Sequence, residues 1–250
     1  MTVENVIARH FIARSNVMAV QGPRGAYFPA RRQGVDRGFT KKDITRHVEG
    51  DVTLGHYLLD GDACKLFAFD IDIDKGWYGQ WNCMQPGWPN DELHDLRSIM
   101  IAPSDHPLRG YLIKQLRSIA DGLAWAIENK IGIKAAVSFS GSKGMHVYGL
   151  YGQKVLAREA IAQSHHLIGQ YSSLVPQSKL QNWKSINVPG TTIEIFPKQD
   201  RVSEGSYGNL MRLPLGIHKK TGARSFFFDW KHEDATELRE ISIEEAVGIE

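Results

Sequence analysis

The stretch FAFDIDIDKG, residues 67–76, places three aspartates at alternate positions of a run that otherwise has the apolar pattern of a buried β-strand. Because side chains alternate between the two faces of a strand, Asp70, Asp72 and Asp74 share one face and the apolar residues between them take the other. Neighbouring carboxylates repel each other unless a cation lies between them, so a hard divalent ion such as Mg²⁺ or Mn²⁺ is the natural partner of an Asp-x-Asp pair. The alternative interpretation is an edge strand with a solvated, charged face.

A second group of polar residues lies in SGSKGMH, residues 140–146, which joins two predicted strands. Glycines let the backbone approach a phosphate closely and expose its N–H groups, while serine hydroxyls and a lysine add donors and a positive charge. The residues that this pattern selects for phosphate binding are Ser140, Gly141, Ser142, Lys143 and His146. An ordinary glycine- and serine-rich turn is the alternative, and the added lysine and histidine argue against it.

One acidic residue, Glu194, interrupts the apolar strand pattern of TTIEIFPKQD, residues 191–200. It points to the opposite face from the two isoleucines beside it. A lone strand carboxylate is commonly a solvated residue or a salt-bridge partner. If this strand lies beside the one that carries Asp70 and Asp72, however, three carboxylates become available for two divalent ions. Two such ions can activate a 3′-hydroxyl and stabilise a leaving pyrophosphate during in-line nucleotidyl transfer.

The composition is that of an ordinary globular protein, because 42% of the 250 residues are hydrophobic and 23% are charged. A chain of this length forms one large domain or two closely packed modules. It has no apolar stretch long enough to span a bilayer, and its first residues are too charged for a signal peptide, so we expect a cytoplasmic protein with no membrane partner. Two cysteines do not support a disulfide framework. A zinc site from Cys64, Cys83, His94 and His106 lacks the usual ligand spacing.

The net charge of +2 does not by itself indicate a nucleic-acid partner, but the basic residues are unevenly distributed. They gather at residues 31–42 and again at 198–224. The residues that we expect to follow template phosphates are Arg31, Arg32, Lys41 and Lys42. The aromatic residues expected to stack on single-stranded bases are Trp77, Tyr78, Trp81 and Trp88. The alternatives are a solvated basic surface and aromatic anchors that hold a loop to the core.

The hydrophobic periodicity predicts a mixture of helices and strands. We expect helices at residues 3–13, 40–50, 108–130 and 154–174, and strands at 16–22, 25–31, 53–60, 64–74, 191–199 and 223–230. Residues 133–151 are predicted to form a strand, a turn and a second strand, and the turn at 60–62 is predicted to close a hairpin. This order predicts an α+β sandwich with a mainly antiparallel sheet and helices packed on one side.

The order of the motifs resembles the archaeo-eukaryotic primase superfamily. Asp-x-Asp on a strand is followed by SGSKGMH, by the acidic strand EIFPKQ and then by NLMRLPLGIHKKTGARSFF. HVEGDVTLGHYLL, ahead of the aspartates, also resembles the lead-in of that group, so the likeness covers nearly the whole chain. The chain is most similar to primase-polymerase domains of the TOTE conflict-system and CRISPR-associated type, and more distantly similar to the polymerase domain of bacterial end-joining ligases.

The resemblance implies an RRM-like antiparallel-sheet catalytic core, residues 61–250, preceded by a small α/β module, residues 1–60, the two forming one compact catalytic domain. It implies that two Mg²⁺ or Mn²⁺ ions are bound by Asp70, Asp72 and Glu194. It implies that the incoming nucleotide is held by Ser140, Gly141, Ser142, Lys143, His146, Arg212 and His218. The implied catalytic residues are Asp70, Asp72, Glu194 and His146.

Two features depart from the pattern of the superfamily. Asp74 extends the first motif, so a shifted register would make Asp72 and Asp74 the ligand pair, although Phe-Asp-Ile-Asp favours the earlier pair. Gly144 stands where many primases have a serine two residues before the histidine, a form that the end-joining polymerases share.

The activity that the resemblance implies is template-directed nucleotidyl transfer by a DNA primase-polymerase, which uses a dNTP or NTP as substrate. De novo initiation of primers and extension of an existing primer are both open alternatives. The implied partners are single-stranded or primed DNA and fused or associated helicase, nuclease or CRISPR proteins. One alternative is a non-catalytic RRM-like domain that binds single-stranded nucleic acid, although such a sheet exposes aromatic residues where this one has acids. A phosphatase or glycosyltransferase with an Asp-x-Asp metal site is another alternative, but neither class explains SGSKGMH.

Overall fold

The computed structural model describes residues 1–73, 96–101, 107–174, 179–181, 185–188 and 190–249. Helices and antiparallel sheets are combined in one chain, which confirms the predicted α+β class. Several residues singled out from the sequence lie outside the described part of the chain, namely Asp74, Trp77, Tyr78, Trp81, Cys83, Trp88, His94 and His106.

The predicted helices are all present, and their ends follow from local chemistry. The helices are α1 (Val3–His10), α2 (Lys41–Glu49), α3 (Leu96–Met100), α4 (Pro107–Ala126), which continues as a π-helical turn (Ile127–Ile131), α5 (Ala157–Leu174) and α6 (Ile243–Val247). Thr40 begins α2 with a capping box to Asp43, and Gly50 ends it in the left-handed conformation. In the part of the chain that the structure describes, no helix is long and apolar enough to cross a bilayer.

Fourteen strands are found among the described residues. They are β1 (Ala19–Gln21), β2 (Tyr27–Pro29), β3 (Arg31–Arg32), β4 (Val35–Asp36), β5 (Leu54–Tyr57), β6 (Ala63–Ile73), β7 (Lys134–Phe139), β8 (Gly144–Leu156), β9 (Lys179–Gln181), β10 (Ser185–Val188), β11 (Thr191–Phe196), β12 (Leu210–Arg212), β13 (Phe226–Phe228) and β14 (Glu240–Ile241). A large sheet has the order β14-β13-β7-β8-β6-β11-β10-β9, and a small sheet has the order β12-β5-β1-β2. The strands β3 and β4 form a separate two-stranded ribbon.

The central strand β6 separates two hydrophobic cores, because its alternate side chains point to opposite faces of the large sheet. Phe67, Phe69 and Ile71 belong to the core that α4 and α5 cover. Leu66 and Ala68 belong to the core on the other face, together with residues of α1, α2, α6 and the small sheet. Asp70 and Asp72 follow on this second face. The aspartates therefore lie where apolar cover of the face gives way to partly exposed surface.

Three details of the sequence prediction are wrong. Helices cover both faces of the large sheet, since α1 and α6 pack opposite α4 and α5. The turn at 60–62 does not close a hairpin, because β5 pairs within the small sheet while β6 pairs within the large one. The region 154–156 belongs to β8 and not to the following helix, because it continues the pairing with β6 as far as Ala63 and Leu156.

The small sheet is built from both ends of the chain. Its strands β1, β2 and β5 come from the first 60 residues, but its edge strand β12 comes from residues 210–212 and pairs with β5. One strand of the predicted core, residues 61–250, therefore pairs within the sheet of the predicted module, residues 1–60. The division into two modules remains a proposal.

The pairing of Phe67 with Gly149 gives a test of how tightly β6 and β8 are packed. A Cβ atom added at Gly149 would lie 2.5 Å from the ring of Phe67, which is fully buried. We expect Gly149→Ala to lower the free energy of unfolding by about 1–3 kcal/mol, measured by urea denaturation. The control is Gly122→Ala on α4, where the added Cβ has no neighbour within 4 Å and should be neutral or stabilising. Equal stability of the two variants would contradict the tight packing.

Candidate active site

One row of residues crosses the large sheet and brings three predicted site residues together. His146 on β8 lies directly opposite Asp70 on β6, and Asp70 lies directly opposite Glu194 on β11. Residues opposite each other on antiparallel strands share a face, with Cβ atoms about 5 Å apart. In the next row, Asp72 lies between Gly144 and Thr192. The predicted neighbourhood of the two acidic strands is therefore confirmed.

Each of the three carboxylates has a basic side chain beside it. The pairs are Asp70 with His146 at 3.3 Å, Asp72 with Lys143 at 3.0 Å and Glu194 with Lys198 at 2.8 Å. Lys198 also lies 4.6 Å from the ring centre of Phe196. Sequence reasoning named His146 and Lys143 but missed Lys198. This lysine lies beyond the end of β11, where a spacing of four residues from Glu194 does not predict that the two side chains meet.

The SGSKGMH hairpin is held in shape by the hydroxyl of Ser140. Its oxygen accepts hydrogen bonds from the backbone N–H groups of Ser142 and Gly144, both at 3.3 Å, and the Ser140 N–H donates to the Gly144 carbonyl at 3.0 Å. Ser140 and Ser142 are both buried. The Ser140 hydroxyl proton takes part in none of these bonds, so it is available for a further acceptor.

Gly144 has a steric reason to be a glycine. A Cβ atom at this position would overlap the Ile71 carbonyl oxygen and the Asp72 carboxylate on the neighbouring strand. The carboxylate could rotate away, but the backbone oxygen could move only if the strands separated. A serine at this position, as in the more common form of the motif, would therefore displace Asp72.

Arg212 faces the hairpin from the small sheet. Its guanidinium donates a hydrogen bond to the Ser140 carbonyl. Close by, the Thr221 hydroxyl donates to the Gly141 carbonyl at 2.6 Å. The hairpin is thus fixed on one side by its own strands and on the other by residues that lie 72 and 80 positions later in the chain.

A cavity of about 260 Å³ opens between the two sheets at this point. Its lining residues are Gln21, Tyr27, Asp70, His146, Phe196, Leu210, Met211, Arg212 and His218. The Tyr27 hydroxyl and Nδ1 of His218 are buried and have no hydrogen-bond partner among the described residues. Sequence reasoning missed Gln21 and Tyr27, because their strands carry no pattern that indicates chemistry.

The two aspartates of β6 have opposite pKa shifts. Burial raises the pKa of Asp70, but the charge and hydrogen bond of His146, together with Arg212 and Lys143, outweigh it and lower the pKa below its ordinary value. Burial and repulsion from Asp70 raise the pKa of Asp72, and Lys143 only partly opposes them. As the pH rises, Asp70 therefore loses its proton before Asp72. Additional positive charge near the pair would favour the ionised form of Asp72.

His218 is a neutral side chain at physiological pH. Burial lowers its pKa to about 4, with repulsion from Arg212, Arg97 and Lys220 adding to the effect. It can therefore donate or accept a hydrogen bond but brings no positive charge to a phosphate. The positive charge at this end of the cavity comes from Arg212.

The donor chemistry of the site fits hard divalent cations in part. Asp70 and Asp72 offer carboxylate oxygens from one rigid strand, as Mg²⁺ and Mn²⁺ prefer. Within the described ranges, however, no three His, Cys, Asp or Glu side chains are gathered closely enough to hold a metal ion. Glu194 lies in the same row, but its carboxylate is engaged by Lys198. A shell of three carboxylates therefore remains a proposal.

The remaining candidates of the sequence analysis are distributed elsewhere. Cys64 is buried in the core and burial raises the pKa of its thiol to about 12, so it is not a ready zinc ligand. Arg31, Arg32, Lys41 and Lys42 are exposed. Arg31 is already paired with Asp36 at 3.1 Å.

The acidic pair lies on a central strand of an α+β frame, with the donor-rich hairpin beside it. The family described as TOTE conflict system, Archaeo-Eukaryotic Primase domain matches residues 5–241, and the chain belongs to that family. The chain is therefore a domain of the primase and polymerase type of nucleotidyltransferase. No curated protein sequence matches the chain significantly.

The fold has a counterpart among solved structures. The polymerase domain of Ligase D from Mycobacterium tuberculosis, determined in complex with DNA, superimposes with a TM-score of 0.57 at 14% sequence identity. The match covers 98% of this chain and 84% of that one. This likeness confirms the predicted α+β fold of the superfamily across nearly the whole chain.

The steric argument for Gly144 is testable in the active site. We expect Gly144→Ala to lower nucleotide incorporation about 100-fold, because a displacement of Asp72 by about 1 Å is enough to cause a loss of this size. The measurement is a steady-state incorporation assay beside a denaturation curve. The matched control is Gly169→Ala on α5, where the added Cβ has no neighbour within 4 Å. Full activity of Gly144→Ala would show that Asp72 does not depend on this close approach.

Proposed function

We propose that the chain is the catalytic domain of a primase-polymerase that joins incoming nucleoside triphosphates to a 3′-hydroxyl under the direction of a single-stranded or primed DNA template. One observation carries this proposal: carboxylates and phosphate donors meet at the same end of β6. Asp70 and Asp72 offer oxygens to cations, Lys143 lies against Asp72, and Arg212 lines the same cavity as Asp70. A triphosphate with its divalent ions needs both.

The carboxylates have the first role in this proposal. Asp70 and Asp72, with Glu194 as the third ligand, hold two divalent ions, Mg²⁺ or Mn²⁺. When bound, these ions activate the attacking 3′-hydroxyl and stabilise the leaving pyrophosphate. His146 keeps Asp70 in position, and its own ring is fixed by the Tyr148 hydroxyl at 3.0 Å from Nδ1.

The hairpin and the facing strand have the second role. Backbone N–H groups and the hydroxyls of Ser140 and Ser142 bind phosphate oxygens, and Lys143 and Arg212 offset their charge as it builds on the leaving group. The hydrogen bonds from the Ser142 and Gly144 N–H groups to the Ser140 hydroxyl fix the shape of the buried hairpin, so little reorganisation is needed when the nucleotide binds. His218, which is neutral, completes the nucleotide site as a hydrogen-bonding residue.

The template is proposed to bind on the basic surfaces. Arg32, Lys41 and Lys42 are exposed and can follow phosphates, whereas Arg31 must first release Asp36. Stacking of bases on Trp77 and its aromatic neighbours also stays a prediction. Membership of a conflict-system family supports, as a further proposal, association with helicase, nuclease or CRISPR proteins.

A non-catalytic nucleic-acid-binding domain is less well supported. The partly exposed positions of β6 on this face are Asp70 and Asp72, which repel phosphate unless cations are bound. A phosphatase would need no template surface and no hairpin of this kind.

The role of Asp72 gives a direct test. We expect Asp72→Ala to lower divalent-dependent nucleotide incorporation about a thousandfold or more, because metal ions contribute several kcal/mol to such transition states. Template affinity, measured by fluorescence anisotropy, should stay within about threefold, because the substitution removes no basic residue. The matched control is Asp62→Ala, an exposed aspartate in the turn before β6, which should retain activity. Appreciable incorporation by Asp72→Ala would contradict the proposal.

A second test separates priming from extension. The protein is offered a primerless single-stranded DNA with Mg²⁺ or Mn²⁺ and labelled dNTPs or NTPs, beside a primed template. Dinucleotides from the primerless template would establish de novo initiation, whereas products from the primed template alone would restrict the activity to extension. Absence of both products under all four nucleotide and metal combinations would overturn the proposed function.

A further inference from the structure

The segment RLPLGIH, residues 212–218, carries one nucleotide-site residue at each end. Arg212 donates to the SGSKGMH hairpin, and both Arg212 and His218 line the cavity. Between them, residues 213–217 run past the start of β5 and the end of α2. We call residues 213–217 the strap. Its path decides where the two site residues lie relative to Asp70.

Every carbonyl of the strap accepts a hydrogen bond from a group outside it. The donors are Nε2 of His47 to Leu213 (3.1 Å) and Pro214 (3.0 Å), Arg224 to Leu215 (2.8 Å), the Ser225 N–H to Gly216 (2.9 Å) and the Thr53 hydroxyl to Ile217 (2.5 Å). At the ends of the strap, the Leu213 N–H donates to Leu54 at 3.0 Å and the His218 N–H donates to Ala223 at 2.8 Å. An irregular segment with all its carbonyls engaged is fixed in one conformation.

His47 makes the central contacts of this arrangement. It lies on α2 and is completely buried. Its Nδ1 accepts a hydrogen bond from the Leu54 N–H at 3.0 Å, so the ring proton lies on Nε2, where it is shared between the two strap carbonyls. Burial lowers its pKa to about 4, so the ring stays neutral and this tautomer persists at physiological pH. One imidazole thus joins α2, the start of β5 and the strap.

The strap has a backbone conformation that needs external support. Leu215 has φ = +72°, in the left-handed region that non-glycine residues rarely adopt. Such a residue persists when the surrounding structure over-determines it, and strained positions of this kind cluster at ligand-binding sites. The following Gly216 packs directly against the His47 ring, where any side chain would collide with it. The ring therefore holds the strap by contact as well as by hydrogen bonds.

We propose that His47 is a positioning residue for nucleotide binding, which fixes the strap and thereby sets Arg212 and His218 against Asp70 and the hairpin. Thr53 is a second anchor of the strap, at the end nearer His218. This inference rests on the proposed function, because it assigns the strap to the triphosphate site. It adds a role for the HVEGDVTLGH segment, because His47 and Thr53 of this segment do not line the cavity.

Two substitutions of His47 separate positioning from general stability. In His47→Gln the side-chain amide nitrogen reaches the place of Nε2 and keeps the donor to the strap but loses the acceptor for Leu54. In His47→Asn the amide oxygen takes the place of Nδ1 and keeps that acceptor but loses the donor. Both replace a buried ring by a smaller amide, so their thermal unfolding temperatures should fall by similar amounts. His10→Asn is the matched control, a buried histidine on α1 with no hydrogen-bond partner among the described residues.

We expect His47→Asn to lower kcat/KM for the incoming nucleotide about 10- to 100-fold, mainly through KM, because a small misplacement of binding groups has effects of this size. His47→Gln should stay within about threefold of the unmodified protein, and His10→Asn should retain its kcat/KM. Hydrogen exchange at the amides of Leu213 and His218 should accelerate in His47→Asn and change little in His47→Gln. If both His47 variants lost the same amount of activity, in proportion to their fall in unfolding temperature, the proposal would be overturned.

Thr53→Val provides a test if the His47 variants fail to fold, since it removes one hydrogen bond with almost no change of shape. It should raise the nucleotide KM and accelerate exchange at His218, and unchanged values of both would contradict the role of the strap.

Hydrogen exchange and titration with a fluorescent nucleotide do not require polymerisation. If the unmodified protein incorporated no nucleotide while exchange responded as expected, the proposed function would fail and the fixing of the strap by His47 would stand.

Discussion

The whole site depends on holding carboxylates side by side on a strand whose other face is core. Strand β6 cannot relieve the repulsion between Asp70 and Asp72 by moving, because Phe69 and Ile71 are fully buried under α4 and α5. The negative charge must therefore be offset by neighbouring groups, and Lys143 and His146 lie against the two aspartates. A carboxylate pair fixed in this way favours a further cation, and this is the physical reason for proposing divalent ions here.

The two sheets contribute opposite charges to the cavity between them. The large sheet supplies Asp70 on β6, and the small sheet supplies Arg212 on its edge strand. Because β12 joins β5 by pairing across more than 150 residues of sequence, the position of Arg212 depends on the integrity of the whole small sheet. A division of the chain at residue 60 would follow the order of the elements in sequence. It would separate β5 from β12, although the two strands pair and together position Arg212.

Local patterns predicted the elements, and long-range contacts decided the rest. The alternation along β6 and the helix expected at residues 40–50 depend on a few adjacent residues, and the structure confirms both. The turn at 60–62 has hairpin chemistry, but a turn does not determine which sheet receives each strand, so the predicted hairpin is wrong. Tyr27 and His47 had no local signal at all, because their importance arises only when β2, α2 and the strap meet.

A shared frame carries no chemistry by itself, since at 14% identity the likeness to the Ligase D polymerase domain establishes the fold alone. The chemistry lies in side chains of both signs that meet across two strands. Anion binding alone would need the hairpin and Arg212 but would be weakened by Asp70 and Asp72, whereas a structural metal site would need the acids but would gain nothing from buried phosphate donors. The proposed substrate, a nucleoside triphosphate, brings roughly four negative charges together with divalent ions, and such a ligand would use both the acids and the phosphate donors.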